Sequence, residues 1–483
     1  MKKTTAVLLA FLVLPTMAAA QTFSPNFLRR EAITDRALTY FVSTTGSDSN
    51  TCTTVGSPCL TVQKAISKIP RIVRHPVSIT LAAGTYTTGF VVDGFSFEPY
   101  TNPTNGAYVN IEGTLINATP ATGTATGTAT AGTAGTPGST TWGTLTDSGQ
   151  AWTVNDLRGK LIEITGGTGS GQIRSIDSNT ATSITIAGTW TAPVNGSSTY
   201  AIRDWGTILT GAIATPANIR DAAAANTSTI LIGSNQSSLS GPYSIGIQKM
   251  KFASAGSGNG VQLRQGQQAL LRYNNFSISG GNAVNLVGDG ALGLYYNTAN
   301  LVAGGVWILS QGTWVTGGFI DGNVVVGGST GFRFNSVDQV ILTNTAIRNV
   351  SGDMIRWSRS TNLTLSALIL DTSSGGFGID SDNNSAASAM GVLRITASTI
   401  SGCASGGVRQ NGVGLLQMTN VTGTNTGPGI TVINGGRVQI SSATAVTGSS
   451  DISVDSSTLT YAALRALSPK QSTNTTTLST IWE

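Results

Sequence analysis

An all-β solenoid is the fold class this sequence predicts, on three observations. The first is composition: 60 of 483 residues are Gly, 40% are hydrophobic and only 10% are charged. A disordered chain is poor in apolar residues and rich in charge, and helical bundles are rich in Ala, Glu, Lys and Leu, so both classes are excluded. No strict Gly-X-Y period runs through the chain, which excludes collagen. The second is a repeat. Short strands open on Val261, Val284, Val306, Phe332, Ile355, Ile379, Val408, Ile430 and Ile452, in steps of 22 to 29 residues. The third is the punctuation: most of these strands follow a glycine, and each repeat carries a second β-rich stretch such as Asn362–Leu365 or Leu415–Met418. A fixed period of this length with strands and no helices marks a solenoid. Leucine-rich repeats share the period, but their Leu scaffold is missing. A parallel β-helix fits best, with successive turns about 4.8 Å apart.

The N-terminus reads as an export signal over residues 1–20. Lys2 and Lys3 give a basic start, Ala6 to Leu14 an apolar run, and Ala18-Ala19-Ala20 a small-residue cleavage pattern. The run is too short to span a bilayer, and no later apolar stretch qualifies, so no transmembrane segment is expected. The expected location is secreted or cell-surface. Removing the signal would lower the formal charge from +5 to +3, too mild for a nucleic-acid surface. An oxidising compartment permits disulfides. Cys52 and Cys59 bracket a short loop and are expected to pair, which leaves Cys403 as a buried, inert thiol. The single histidine, His75, makes a His-based zinc site or a Ser-His-Asp triad improbable.

Residues 21–117 read as a cap and the first coils. Tyr40-Phe41-Val42 is strand-like, and Leu60 to Ile69 is an amphipathic helix with Val62, Ala65, Ile66 and Ile69 on one face, stopped by Pro70. The run FVSTTGSDSN followed by SPCLTVQKAI resembles the opening of right-handed parallel β-helix proteins of the pectin-lyase-like superfamily. Thr61-Val62-Gln63-Lys64-Ala65-Ile66 matches the helix that plugs the coil stack in that superfamily. The resemblance covers about thirty residues and implies the fold, not a reaction.

Residues 118–141 are Gly/Thr/Ala-rich and are expected to be a linker. Residues 142–204 read as a small inserted β module. Its Gly166–Gly171 run lacks the Lys-Ser/Thr of a phosphate loop and reads as a hairpin turn. Residues 205–467 hold the repeats, with a short C-terminal capping helix at 461–467, and residues 468–483 form a polar tail.

Alternation along each strand assigns faces. With the first and third residues inward, the second points out. That column reads Gln262, Asn285, Trp307, Arg333, Arg356, Asp380, Arg409, Thr431 and Ser453. The fourth residue gives a parallel column that includes Asn335, Asp382 and Asn411. A chain with few charges thus concentrates them on one strip. Arg forks pair with carboxylates and Trp stacks on flat apolar faces, so Trp307, Arg333, Asn335, Arg356, Arg409 and Asn411 are the expected binding residues for a polysaccharide or cell-surface glycan. The competing reading is a salt-bridge ladder, Arg356–Asp380–Arg409, with no ligand.

Asp380 and Asp382 would lie about 7 Å apart on one face. That spacing suits the two carboxyls of an inverting glycoside hydrolase, and the pair would equally suit Ca²⁺. A polysaccharide lyase would instead set an Arg or Lys base beside such a cation. The superfamily's relatives use this face for one or the other, but their Asp-Asp, Gly-His-Gly and Arg-Ile-Lys patterns are absent here. Whether the chain is an enzyme therefore stays open. The alternatives are an adhesion or structural rod, and a phage-type spike.

Overall fold

A computed structural model describes residues 33–454 apart from short segments, the longest being 214–227 and 383–390. The expected signal peptide, capping helix at 461–467 and polar tail lie outside the described residues. The chain is a right-handed parallel β-helix. Three parallel sheets run the length of the coil stack, with twelve, eleven and eleven strands among the described residues. The third sheet carries the repeat strands recognised in sequence, preceded by Phe90–Val92 and Ser228–Ile232, so the stack begins before the regular repeat does.

The inward residues are apolar and buried coil after coil: Val261, Val284, Phe332, Ile355, Ile379 and Val408 at the first position, Leu263, Leu286, Phe334 and Trp357 at the third. Ser381 and Gln410 take the third position in two adjacent coils, and both are fully buried. The corner between the first and second sheets is tight. Lys249, Tyr273, Tyr296, Asn344, Ala367, Ala397 and Asn420 all stand there with positive φ. Asparagines stack just after Tyr273, Tyr296 and the equally positive-φ Gly322. Asn274 Nδ2 donates to Ile247 O at 2.9 Å and to Asn297 Oδ1 at 3.1 Å, and Asn297 Nδ2 donates to Asn323 Oδ1 at 3.2 Å. Buried carbonyls exposed by the sharp turn are satisfied in this way.

Helix Val62–Ser67 plugs the first end of the stack with Val62, Ala65 and Ile66 buried. Two residues of the Thr-Val-Gln pattern explain themselves. Thr61 caps the helix by accepting from Lys64 N at 3.2 Å. Gln63 accepts from Val91 N at 2.8 Å and donates to Val91 O at 3.2 Å, which satisfies the otherwise bare edge strand. Asp48 of the Gly-Ser-Asp loop anchors the helix start, accepting from Leu60 N and Thr61 N at 3.0 and 2.9 Å. Cys52 and Cys59 close this loop as a disulfide, and Cys403 is a free, buried thiol. Burial pushes the Cys403 thiol up to about 12, so thiolate chemistry is suppressed.

An antiparallel eight-stranded sheet interrupts the first coils between Leu115 and Trp205. It has its own core, built on Trp152, Ile162, Ile164, Ile176, Ile184, Trp190 and Tyr200. The Gly/Thr/Ala tract expected as a linker is part of this sheet. Thr126–Thr128 pairs with Thr199–Ala201, and Ala131–Thr133 pairs with Thr144–Thr146. The physical reason lies in its glycines. A Cβ on Gly127 would sit 2.5 Å from Tyr200 Oη, and one on Gly132 would collide with Val194. Close packing, not flexibility, accounts for that composition. The Gly166–Gly171 run turns a hairpin between Leu161–Gly166 and Ile173–Asn179. No helix among the described residues is long and apolar enough to cross a membrane.

Candidate functional site

The outward face of the third sheet carries the charged strip. Strand pairing sets Leu309, Arg333, Arg356, Asp380, Arg409 and Thr431 side by side on successive coils. Asp382 pairs with Asn411 in the neighbouring column, and Asn335 pairs with Ser358. Parallel pairing therefore sets residues 22 to 29 positions apart in sequence side by side.

Asp380 is the hub. Arg409 holds it with a fork, Nε to Oδ1 at 2.6 Å and Nη2 to Oδ2 at 2.7 Å. Arg356 Nε lies 3.9 Å from Asp380 Oδ2, and its Nη2 donates to Asp382 Oδ2 at 3.0 Å. Asn411 Nδ2 donates to Asp382 Oδ1 at 2.9 Å, and Asn434 continues the chain by donating to Asn411 Oδ1 at 2.7 Å. The guanidinium of Arg409 also lies 4.8 Å from the Phe377 ring centre, within cation–π range. Burial pushes the Asp380 carboxyl above its ordinary value, against the pull of Arg409 and Arg356. The hydrogen bonds that Arg409 donates to Asp380 hold its own guanidinium above its ordinary value.

This geometry divides the expected site residues into two groups. The Asp380 side chain is 1% exposed and both its oxygens face arginine, so no acid–base route from Asp380 to a substrate is open. Asp382 is 28% exposed but is shared by Arg356 and Asn411. A Ca²⁺ ion does not fit the pair. Two guanidinium groups already occupy the carboxylates, and no cluster of three metal-ligating side chains exists among the described residues. The outer group is open. Arg356 is 38% exposed. Arg333 is exposed and forms no ion pair or hydrogen bond among the described residues. Ser358 Oγ donates to Asn335 Oδ1 at 3.4 Å beside it.

Trp307 is not on the strip. Pairing of Val306 with Asn282 and Ile308 with Val284 shifts this coil by two residues from the expected alignment. Trp307 then falls opposite Ala283 and Gly331, one position before the strand's first inward residue. It is fully buried between Phe276 and Phe332, with ring centres 6.4 and 5.5 Å away. It cannot be a stacking platform for a ligand. The register position beside Arg333 belongs to Leu309.

A second polar concavity lies elsewhere, between the inserted module and the first coils, and includes Glu112, Lys249, Glu163 and Arg203. Sequence reading missed it. Its lining comes from six segments spread over 169 positions, Thr80 to Lys249, and no repeat links them.

No family model matches the chain. No curated protein matches it either. Solved structures that resemble it include a rhamnogalacturonan lyase, at 10% identity over 86% of this chain and 87% of that one, with a TM-score of 0.34. The GH136 lacto-N-biosidase from Eubacterium ramulus gives 7%, 88% and 68%, with a TM-score of 0.34. Pectate lyase Pel9A gives 11%, 91% and 83%, with a TM-score of 0.23. The fold assignment rests on the strand register itself.

Proposed function

We propose that this is an exported β-helix protein that binds an acidic polysaccharide along the outer face of its third sheet. The observation that carries this reading is Arg333. It stands exposed and unpaired among the described residues, one coil from Arg356, in a chain where only 10% of residues are charged. Stacking two arginines in register repels, so an anion bridging them is favoured. Guanidinium groups bind carboxylates in two-point geometry, and coils spaced about 4.8 Å apart present them as a ladder. Uronic-acid residues of a glycan supply matching carboxylates. The disulfide Cys52–Cys59 supports export, because such bonds persist in oxidising compartments. The resemblance of the N-terminal plug to pectin-lyase-like proteins, and the polysaccharide lyase among its structural neighbours, point the same way without carrying the argument.

A structural reading is favoured for one part of the strip by one observation, the buried fork between Asp380 and Arg409. We read that pair as the brace under the binding surface. The test separates the two layers. Arg333→Ala should weaken polygalacturonate binding by about 1.5–3 kcal/mol, the range for hydrogen bonds to charged groups, with melting unchanged. Asp380→Asn should lower the melting temperature, because the amide loses the charge that Arg409 requires. Calorimetric titration and thermal melting read the two effects. Unchanged polygalacturonate binding in Arg333→Ala, or no binding by the wild type, would sink the glycan reading and leave a rod.

A further inference from the structure

The inserted module meets the coils along an apolar seam. Leu115, Leu161, Ile173 and Trp205 of the module pack with Tyr273 of the coils. Trp205 Nε1 donates to Tyr273 O at 2.7 Å, which locks the seam. Beside it lies a cleft of 410 Å³. Thr80, Glu112 and Lys249 come from the coils, and Glu163, Ile173 and Arg203 from the module. Clefts between two folded units are favoured places for small ligands, and this volume lies at the lower end of such sites.

The charges lining it cancel: two glutamates face one lysine and one arginine. The Glu112 carboxylate is already committed, with Oε1 accepting from Lys249 Nζ at 2.6 Å and Oε2 from Gln248 Nε2 at 2.9 Å. Glu163 is committed only by half. Its Oε2 accepts from Arg203 Nε at 2.7 Å, and Arg203 Nη1 donates to Asn117 Oδ1 at 2.5 Å. Glu163 Oε1 and Arg203 Nη2 therefore have no hydrogen-bond partner among the described residues. Both side chains are part-exposed, at 28% and 22%. A carboxylate acceptor beside a guanidinium donor matches two neighbouring hydroxyls, one donating and one accepting. Charge-assisted bonds of this kind are the strong ones. Ile173 and Leu115 add an apolar wall against which the C–H face of a ring can lie. A neutral lining disfavours a charged ligand.

We propose that this cleft is a binding site for a neutral sugar unit, one or two residues long, held by Glu163 and Arg203. It is separate from the arginine strip and does not depend on it. The test is saturation-transfer NMR and titration of the full exported chain with cellobiose, xylobiose, maltose and lactose, with digalacturonate as the acidic comparison. At least one neutral disaccharide should saturate. Glu163→Gln and Arg203→Gln should each weaken it by about tenfold or more, as loss of a charged hydrogen bond does. If Arg203→Gln melts early, Glu163→Gln at matched melting carries the result. Glu163→Gln should leave polygalacturonate binding intact, so failure here is distinct from failure of the strip. Absence of saturation by all four sugars, survival of binding in both variants, or preference of the cleft for digalacturonate would each overturn the proposal.

Discussion

Replacing Trp307 by alanine should cost this protein about 3–5 kcal/mol of stability, the range for deleting a large buried aromatic, and leave glycan binding where it was. The indole is fully buried, between Phe276 and Phe332. It occupies room that its neighbours leave free. The coil before supplies Ala283 at the same level, and the coil after supplies Gly331. The cavity left by alanine would be slow to collapse, because the strands on either side are held in register by the parallel ladders. A Cβ on Gly331 would already sit 3.0 Å from Ile347 Cδ1, so space elsewhere in this layer is scarce. Urea denaturation followed by circular dichroism measures the loss. An unchanged midpoint together with weakened glycan binding would put the ring back on the surface as a sugar platform.

The same residue shows how far sequence reaches. Alternation placed the inward faces correctly wherever a strand is straight, as at Phe332 and Phe334 or Ile355 and Trp357. Gly305 marked a strand start at Val306, as Gly260 and Gly331 do elsewhere, but the true step from Val284 is 24 residues, to Ile308. A slip of two keeps the parity of the faces, so Ile308 still takes an inward register. It moves Trp307 to the second residue of strand Val306–Gln311, at the level of Ala283 and Gly331, where its side chain is buried against what its parity predicts. The charged strip was legible because each member repeats at the coil period. The burial of Asp380 was not, since sequence gives its column but not the two guanidinium groups that cover it. The Gly/Thr/Ala tract misled for a different reason. Linkers and tightly packed strands both favour small residues, and only the partners, Tyr200 and Val194, tell them apart.

Arg348 has no local signal at all, yet its replacement should produce the second largest effect. Its Nε and Nη2 hold Asp177 of the inserted module by a fork, both at 2.9 Å, across 171 positions of sequence. Its Nη1 donates to Asp371 Oδ2 at 2.7 Å, on the next coil. The side chains of Arg348 and Asp177 are 12% and 3% exposed. Burial opposes the Arg348 charge, and Asp177 and Asp371 together hold its pKa above the ordinary value. Removing one partner of such a buried pair typically costs about 3–5 kcal/mol, because the other charge stays behind unpaired. Arg158 lies close, donating from Nε to the Asp177 backbone carbonyl at 2.8 Å, but it makes no hydrogen bond to the Asp177 carboxylate among the described residues. The module itself should survive, since its core around Trp152 and Ile164 owes nothing to the coils. What should fail is docking. The remaining contacts there are the apolar seam of Trp205 on Tyr273 and the packing of Trp142 and Ala187 against Val324 and Ala346, and neither supplies a charge to a buried Asp177. Arg348→Ala should therefore raise hydrogen exchange in Ile173–Asn179 and Ala346–Val350 while the rest of the coil stack stays protected. Arg348→Lys should fall between, because a single ammonium cannot reproduce the fork. Unchanged exchange in Arg348→Ala would mean that the apolar seam at Trp205 alone holds the module, and that the ion pair follows docking and does not enforce it.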